Sequence, residues 1–303
     1  MSKYDDIKEV NKFNPYHDNL GRFTSGNGGN VSFFTVQTKD PSKQHWADNA
    51  IAREKGKAGA GVSQNTNKYT PAKTVEEAAE YAKTQLGFKT VNYGKADIDT
   101  VNMINEQITN IYEQYPEMKG AVRHIENYPK PGVYAAASMD STGDMSFHVG
   151  ASMQKGYKAA QEGYENDVKS KFHPPDTDAK AIIWHEFGHL YAYTQAKKAS
   201  GLGAADIKSP WNYDMSNAQA ARKNKTFEKE VLRNASKELK QTQKVTKENI
   251  SIYATKKVSE TFAEAFAEYH CSSNPRKECV AMMKAAGITK KGAGNIDNIQ
   301  EVK

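Results

Sequence analysis

The chain has 303 residues, 38% hydrophobic and 26% charged, a globular composition with enough apolar residues for a sizeable core. Its 42 Lys and Arg against 36 Asp and Glu leave a net charge of only +6, and the lysines are scattered rather than gathered into a basic block. That balance permits nucleic-acid binding without indicating it, and a basic, nucleic-acid-associated protein stays an alternative on a pI of about 8.9 and the Lys-rich helices alone. No apolar run reaches the roughly 18–20 residues of a membrane span, and the N-terminal residues lack the apolar core of a secretory signal. A chain that stays in the cytoplasm, with no membrane partner and no signal peptide, is expected.

Residues 1–73 are rich in Asn, Gly, Ser and Lys, with Gly26–Asn30 and Gly56–Gly61 as the loosest stretches, and read as a mostly flexible N-terminal arm. Within it, Val31–Val36 has the make-up of a short strand and Trp46 that of a local anchor. Thr74 with Glu77 is a capping-box signature, and Ala78, Tyr81, Ala82 and Leu86 follow at helical spacing until Gly87. A folded domain is therefore expected over 74–303. Ile98, Val101, Ile104, Ile108, Ile111, Tyr112 and Tyr115 predict a long amphipathic helix over 97–115, ended by Pro116. Then the pattern turns β-like over 121–125, 132–137 and 145–149, broken by Pro129-Lys130-Pro131 and by Asp140-Ser141-Thr142-Gly143, which suggests a small antiparallel sheet. His148 and His124 in these runs, like His17 and His45, read as packed histidines.

After His173-Pro174-Pro175-Asp176 a new helix is expected over 179–193. Residues 216–241 are charged and helix-prone. Val258, Phe262, Ala265, Phe266 and Tyr269 predict a buried helix, and a last one follows Pro275 before a loosely ordered tail from Gly287. The two cysteines, Cys271 and Cys279, would close only a short loop and are expected to be reduced. A structural metal site built on them would need more ligands than His270, the one candidate in that stretch. The expected class is α+β.

The helix over 179–193 carries His185-Glu186-Phe187-Gly188-His189. Residues four apart share a helical face, so both histidines can aim a ring nitrogen at one cation while Glu186 stands on the adjoining edge as a candidate general base. Gly188 costs roughly 1 kcal/mol relative to Ala in a helix interior, a departure that suits a close backbone approach. Trp184 is expected to pack this helix on the sheet. Two histidines do not hold a catalytic zinc without a third protein ligand. The best donors are Glu260 and Glu264, on one apolar-flanked helical face where lone carboxylates are expensive; metal ligation or hydrogen bonding explains both. Glu268 continues the spacing and reads as solvated.

These two motifs, with Glu260-Thr261-Phe262-Ala263-Glu264-Ala265-Phe266 as the second, resemble those of the gluzincin zinc metallopeptidases, in particular the lethal-factor-like catalytic domains. The resemblance covers about residues 180–270. It implies a zincin-like fold, one Zn²⁺ per chain held by His185, His189 and Glu260, and Glu186 as the catalytic base. It also implies that Tyr253 assists the transition state and that Glu264 orients a ligating histidine from outside the ligand set. From the same architecture, the strand at 145–149 is expected to pair with a peptide substrate. Asn14-Pro15-Tyr16-His17-Asp18, Gly21-Arg22-Phe23-Thr24-Ser25-Gly26 and Phe172-His173-Pro174 resemble phage minor head or head-morphogenesis proteins. That likeness implies a phage-encoded chain in a bacterial host, head proteins as partners and virion association. It also keeps open a virion structural protein whose zinc site is not catalytic.

Overall fold

The computed structural model describes residues 69–139, 144–200 and 218–288. Residues 1–68 of the expected arm, with its Val31–Val36 strand and Trp46, the turn at 140–143 and the tail beyond Ile288 lie outside the described residues. Tyr69, the first described residue, is already buried: its hydroxyl donates to Asn102 and its ring meets Tyr81 edge-on at 4.8 Å.

Helix α1 (Val75–Thr84) starts where the capping signature places it, with the Thr74 hydroxyl accepting from the Glu77 N–H. The Glu77 carboxylate reaches back to the N–H of Lys73 rather than to that of the cap residue. A two-residue strand β1 (Thr90–Val91) leads to α2 (Ile98–Gln114), capped by Asp97 and stopped before Pro116. The strands β2 (Val122–Tyr128), β3 (Ala135–Met139) and β4 (Met145–Gly150) follow. Four helices complete the main architecture: α3 (Tyr157–Lys169), α4 (Lys180–Ser200), α5 (Ala218–Glu238) and, after the short α6 (Gln243–Glu248), α7 (Val258–Cys271). Helix α8 (Lys277–Ala285) closes the described chain. The α+β class is as expected.

The sheet corrects two expectations. Its order is β1-β2-β4-β3, with β1–β2 and β2–β4 parallel and only β3–β4 antiparallel, so it is mixed. The parallel β1–β2 pair uses α2 as its crossover, as a parallel connection requires, and β1 is too short to leave a strand pattern in the sequence. Because β4 inserts between β2 and β3, the run at 145–149 is central and its backbone groups are already paired. Among the described residues the edge strands are β1 and β3.

One sheet face is apolar, with Val122, Ile125, Met145, Phe147 and Val149 fully buried. Phe147 packs on Phe187 of α4 at 6.0 Å, and Phe187 meets Tyr112 of α2 at the same separation. The opposite face carries a polar row in which the Ser138 hydroxyl lies 2.6 Å from His148 Nε2, and Glu126 lies 3.4 Å from His148 Nδ1. His124 likewise pairs with Thr90 and Asp144. Both histidine side chains are largely buried, at 15% and 16% exposure, packed as expected and also tied into this polar row.

Helix α4 is buried on nearly every side along 181–194, as expected of a helix sandwiched between a sheet and other helices. Among the described residues no helix is long and apolar enough to cross a membrane. Cys271 and Cys279 form no disulfide with each other.

Candidate metal centre

Helices α4 and α7 cross at Gly188. A Cβ there would lie 3.0 Å from Ala263 Cα and 3.2 Å from Phe266 Cβ, so only glycine lets the two backbones come this close without displacement. The crossing sets the face of α4 bearing His185 and His189 against the first turns of α7, which bear Glu260 and Glu264. Trp184 does not pack on the sheet as expected. Its indole N–H donates to Gln107 of α2 and its ring stacks on His270 of α7 at 4.4 Å.

Three atoms converge at the crossing. His185 Nε2 and His189 Nε2 are 3.2 Å apart, and each lies 3.3 Å from Glu260 Oε2. This is a nearly equilateral triangle. In a tetrahedral site the ligand–ligand edge is about 1.63 times the metal–ligand distance, so bonds of ~2.0–2.1 Å call for edges of ~3.3–3.4 Å. The observed edges match. All three residues are buried, and Glu260 Oε2 has no hydrogen-bond partner despite its two close nitrogens. A buried carboxylate oxygen in that condition is costly unless a cation takes its lone pair. His185, His189 and Glu260 are also the one group among the described residues with metal-ligand spacing. The cluster fits a metal ion.

The electrostatics agree with the geometry. Burial pushes the Glu260 carboxyl up, but His189 and His185 outweigh it and hold the group well below the usual carboxylate range. Burial pushes both histidines down, and the carboxylates of Glu260 and, for His185, Glu264 raise them above the ordinary value instead. The metal-free centre is therefore a compact array of charges and protons that a cation would displace.

Glu264 stands one turn further along α7. Its Oε1 accepts from His185 Nδ1 at 2.8 Å and its Oε2 from the Ser251 hydroxyl at 2.8 Å, while His173 Nδ1 lies 3.2 and 3.3 Å from the two oxygens. A proton held on His185 Nδ1 leaves Nε2 as the lone-pair donor facing the centre. Glu186 is buried beside the histidines, its carboxyl raised chiefly by burial and lowered in part by His185 and His189 and, less, by a hydrogen bond from the Ala137 backbone on β3. Tyr253, 1% exposed, lies with its ring 5.6 Å from that of His185. Burial, then the charge and hydrogen bond of Glu260, raise its phenol.

The structure thus brings together His185, Glu186, His189, Tyr253, Glu260 and Glu264. Glu268 departs from expectation: it is 1% exposed and accepts from Arg276 Nε and from the Arg276 backbone N–H, each at 2.8 Å. Sequence reasoning missed four contributors. His173 and Ser251 touch Glu264, the Ala137 N–H touches Glu186, and Glu228 of α5 is a buried carboxyl raised to about 7, by burial first and also by Glu260, against His189. Glu228 was detectable, since with Val231, Leu232 and Ala235 it occupies an apolar helical stripe. Ser251 and Ala137 carry no local signal.

A scan of protein-family models, and searches of the curated proteins and of the solved structures, find no match to this chain.

Proposed function

We propose that this chain is a zinc-dependent metallopeptidase of the gluzincin type, with a zincin-like fold. The observation that carries the reading is the triangle of His185 Nε2, His189 Nε2 and Glu260 Oε2, with Glu186 alongside. Two imidazoles and one carboxylate, with a fourth position left to water or substrate, form the donor set of a catalytic rather than a structural zinc site.

Zinc bound there supplies Lewis acidity and brings the pKa of water toward ~7. Glu186 takes the proton from the attacking water and delivers it to the leaving amine nitrogen. Its buried carboxyl is raised in pKa, which brings it closer to the operating pH, as this double role favours. The Tyr253 hydroxyl donates to the oxyanion that develops on the scissile carbonyl. Glu264 holds His185 in the tautomer that ligates. The substrate is an extended peptide added along the outer edge of β3, which no other described strand pairs and whose Ala137 backbone meets Glu186. Phage head proteins are the partners that the Phe172-His173-Pro174 likeness suggests.

The test is zinc content per chain after dialysis, wild type beside Glu260→Ala, followed by a peptide-cleavage screen with Glu186→Gln as control. About one zinc in the wild type, a marked loss in Glu260→Ala, and cleavage abolished in zinc-loaded Glu186→Gln support the reading. A metal-free wild type overturns it. Bound zinc without cleavage moves the chain to the virion structural class.

A further inference from the structure

We infer that His173 is a positioning residue of the metal centre: through Nδ1 it fixes the Glu264 carboxylate, which in turn aims the ring of His185. The inference rests on the reading of His185, His189 and Glu260 as a metal site, and extends it to a turn far outside the ligand motifs.

A carboxylate bonded to His185 alone could swing about its terminal bond and carry the ring with it. Glu264 cannot. Beyond the 2.8 Å bond from His185, it accepts from Ser251 at 2.8 Å, and His173 Nδ1 straddles its two oxygens at 3.2 and 3.3 Å. Since the carboxylate can only accept, the His173 proton sits on Nδ1. His173 and Glu264 are each 1% exposed, so no water competes for these positions.

His173 is itself held. Its ring lies flat on Tyr164 of α3, 5.0 Å between centroids at 3°, with Phe172 and Tyr253 edge-on at 4.7 and 5.8 Å. The backbone of the turn does related work. Lys171 has φ of 63°, the left-handed region that a non-glycine residue occupies only under constraint. That turn aims two carbonyls at the opposite segment: Lys171 O accepts from the Ile252 N–H at 3.0 Å and Phe172 O from the Tyr253 N–H at 3.1 Å. One short turn thereby holds Glu264 by a side chain and Tyr253 by the backbone. Pro174 keeps His173 out of the helical region, and so preserves the geometry.

Two substitutions separate positioning from packing. His173→Phe keeps an aromatic ring on Tyr164 and loses the donor; His173→Asn places an amide N–H where Nδ1 stands and loses the stack. Each is titrated with cobalt(II), following the visible absorption of the bound ion, and with zinc(II) against a chromophoric chelator, with circular dichroism of the metal-free proteins as the folding control. Expected are a 10–100-fold loss of affinity and an altered cobalt spectrum in His173→Phe, and near-wild-type values in His173→Asn. Wild-type affinity in a folded His173→Phe overturns the inference. So does a 10–100-fold loss in His173→Asn, a result that decides the matter even where the Phe variant does not fold. A wild type that binds neither ion overturns the metal centre itself, and is distinguished from both.

Discussion

Replacing Gly188 by alanine tests the helix crossing on which the centre depends. The added Cβ would sit 3.0 Å from Ala263 Cα and 3.2 Å from Phe266 Cβ, where ordinary contact begins at 3.4 Å. Because the nearest atom is backbone, α7 itself has to withdraw by a few tenths of an ångström, a shift expected of an overfilled core. Two energies oppose each other. Alanine gains about 1 kcal/mol in helix propensity, and overpacking costs about 1–3 kcal/mol. The net loss is about 0–2 kcal/mol, and for a domain of this size each kcal/mol lowers Tm by about 2–4 °C. The metal site should suffer more than the fold, because Ala263 lies between Glu260 and Glu264 on the same two turns. Moving α7 lengthens the 3.3 Å edges from Glu260 to both histidines. Zinc affinity is then expected to fall about tenfold or more, the scale seen when ligand support is disturbed. The assays are thermal melts in chelator and zinc competition. A variant that melts higher and binds zinc as the wild type does would refute the close-approach argument.

Three further outcomes follow from the same geometry. Zinc-loaded Tyr253→Phe should lose about 10²-fold in kcat with KM little changed, as when one oxyanion donor is removed; an equal rise in KM at constant kcat would assign the hydroxyl to substrate binding instead. The metal-free protein should lose stability as pH rises. His185 is raised to about 10 from 6.5, with its carboxylate partners outweighing burial, so the folded chain holds a proton that the unfolded chain has released across that window. Asp167, raised by burial to about 7 from 3.8, acts in the same direction at lower pH. Chelator-treated protein should therefore melt lower at pH 9.5 than at pH 6, while zinc uptake near pH 7 releases protons measurable by calorimetry in buffers of different ionisation enthalpy. Equal melts and no proton release would contradict the charge array. Arg276→Gln should cost about 3 kcal/mol or more, since it strands the buried Glu268 carboxylate and frees the carbonyls of Asn249 and Ile250 that the guanidinium ties down. Urea unfolding would check it, and a loss under 1 kcal/mol would show that the pair is a surface contact.

Much of the architecture was legible because periodicity and caps are local. The Thr74 cap, the 97–115 stripe, the stop at Pro116 and the helices at α4 and α7 depend on neighbours within one or two turns. So did His185, Glu186 and His189, whose convergence is guaranteed by helical pitch alone. Residue chemistry also singled out Glu260 and Glu264, because two carboxylates in an apolar stripe need partners. What sequence could not decide was which distant segments meet. The strand at 145–149 read as an edge and became central, since strand order depends on where β3 and the very short β1 dock. Glu268 has the same spacing as Glu260 and Glu264, yet its partner is Arg276, which reaches it only after the chain turns back past α7. His173 acquires a role only when the left-handed turn at Lys171 brings it against Glu264. Local sequence determined the helices and the ligand types; tertiary packing decided edge, partner and orientation, because each requires surfaces far apart in the chain to be buried against one another.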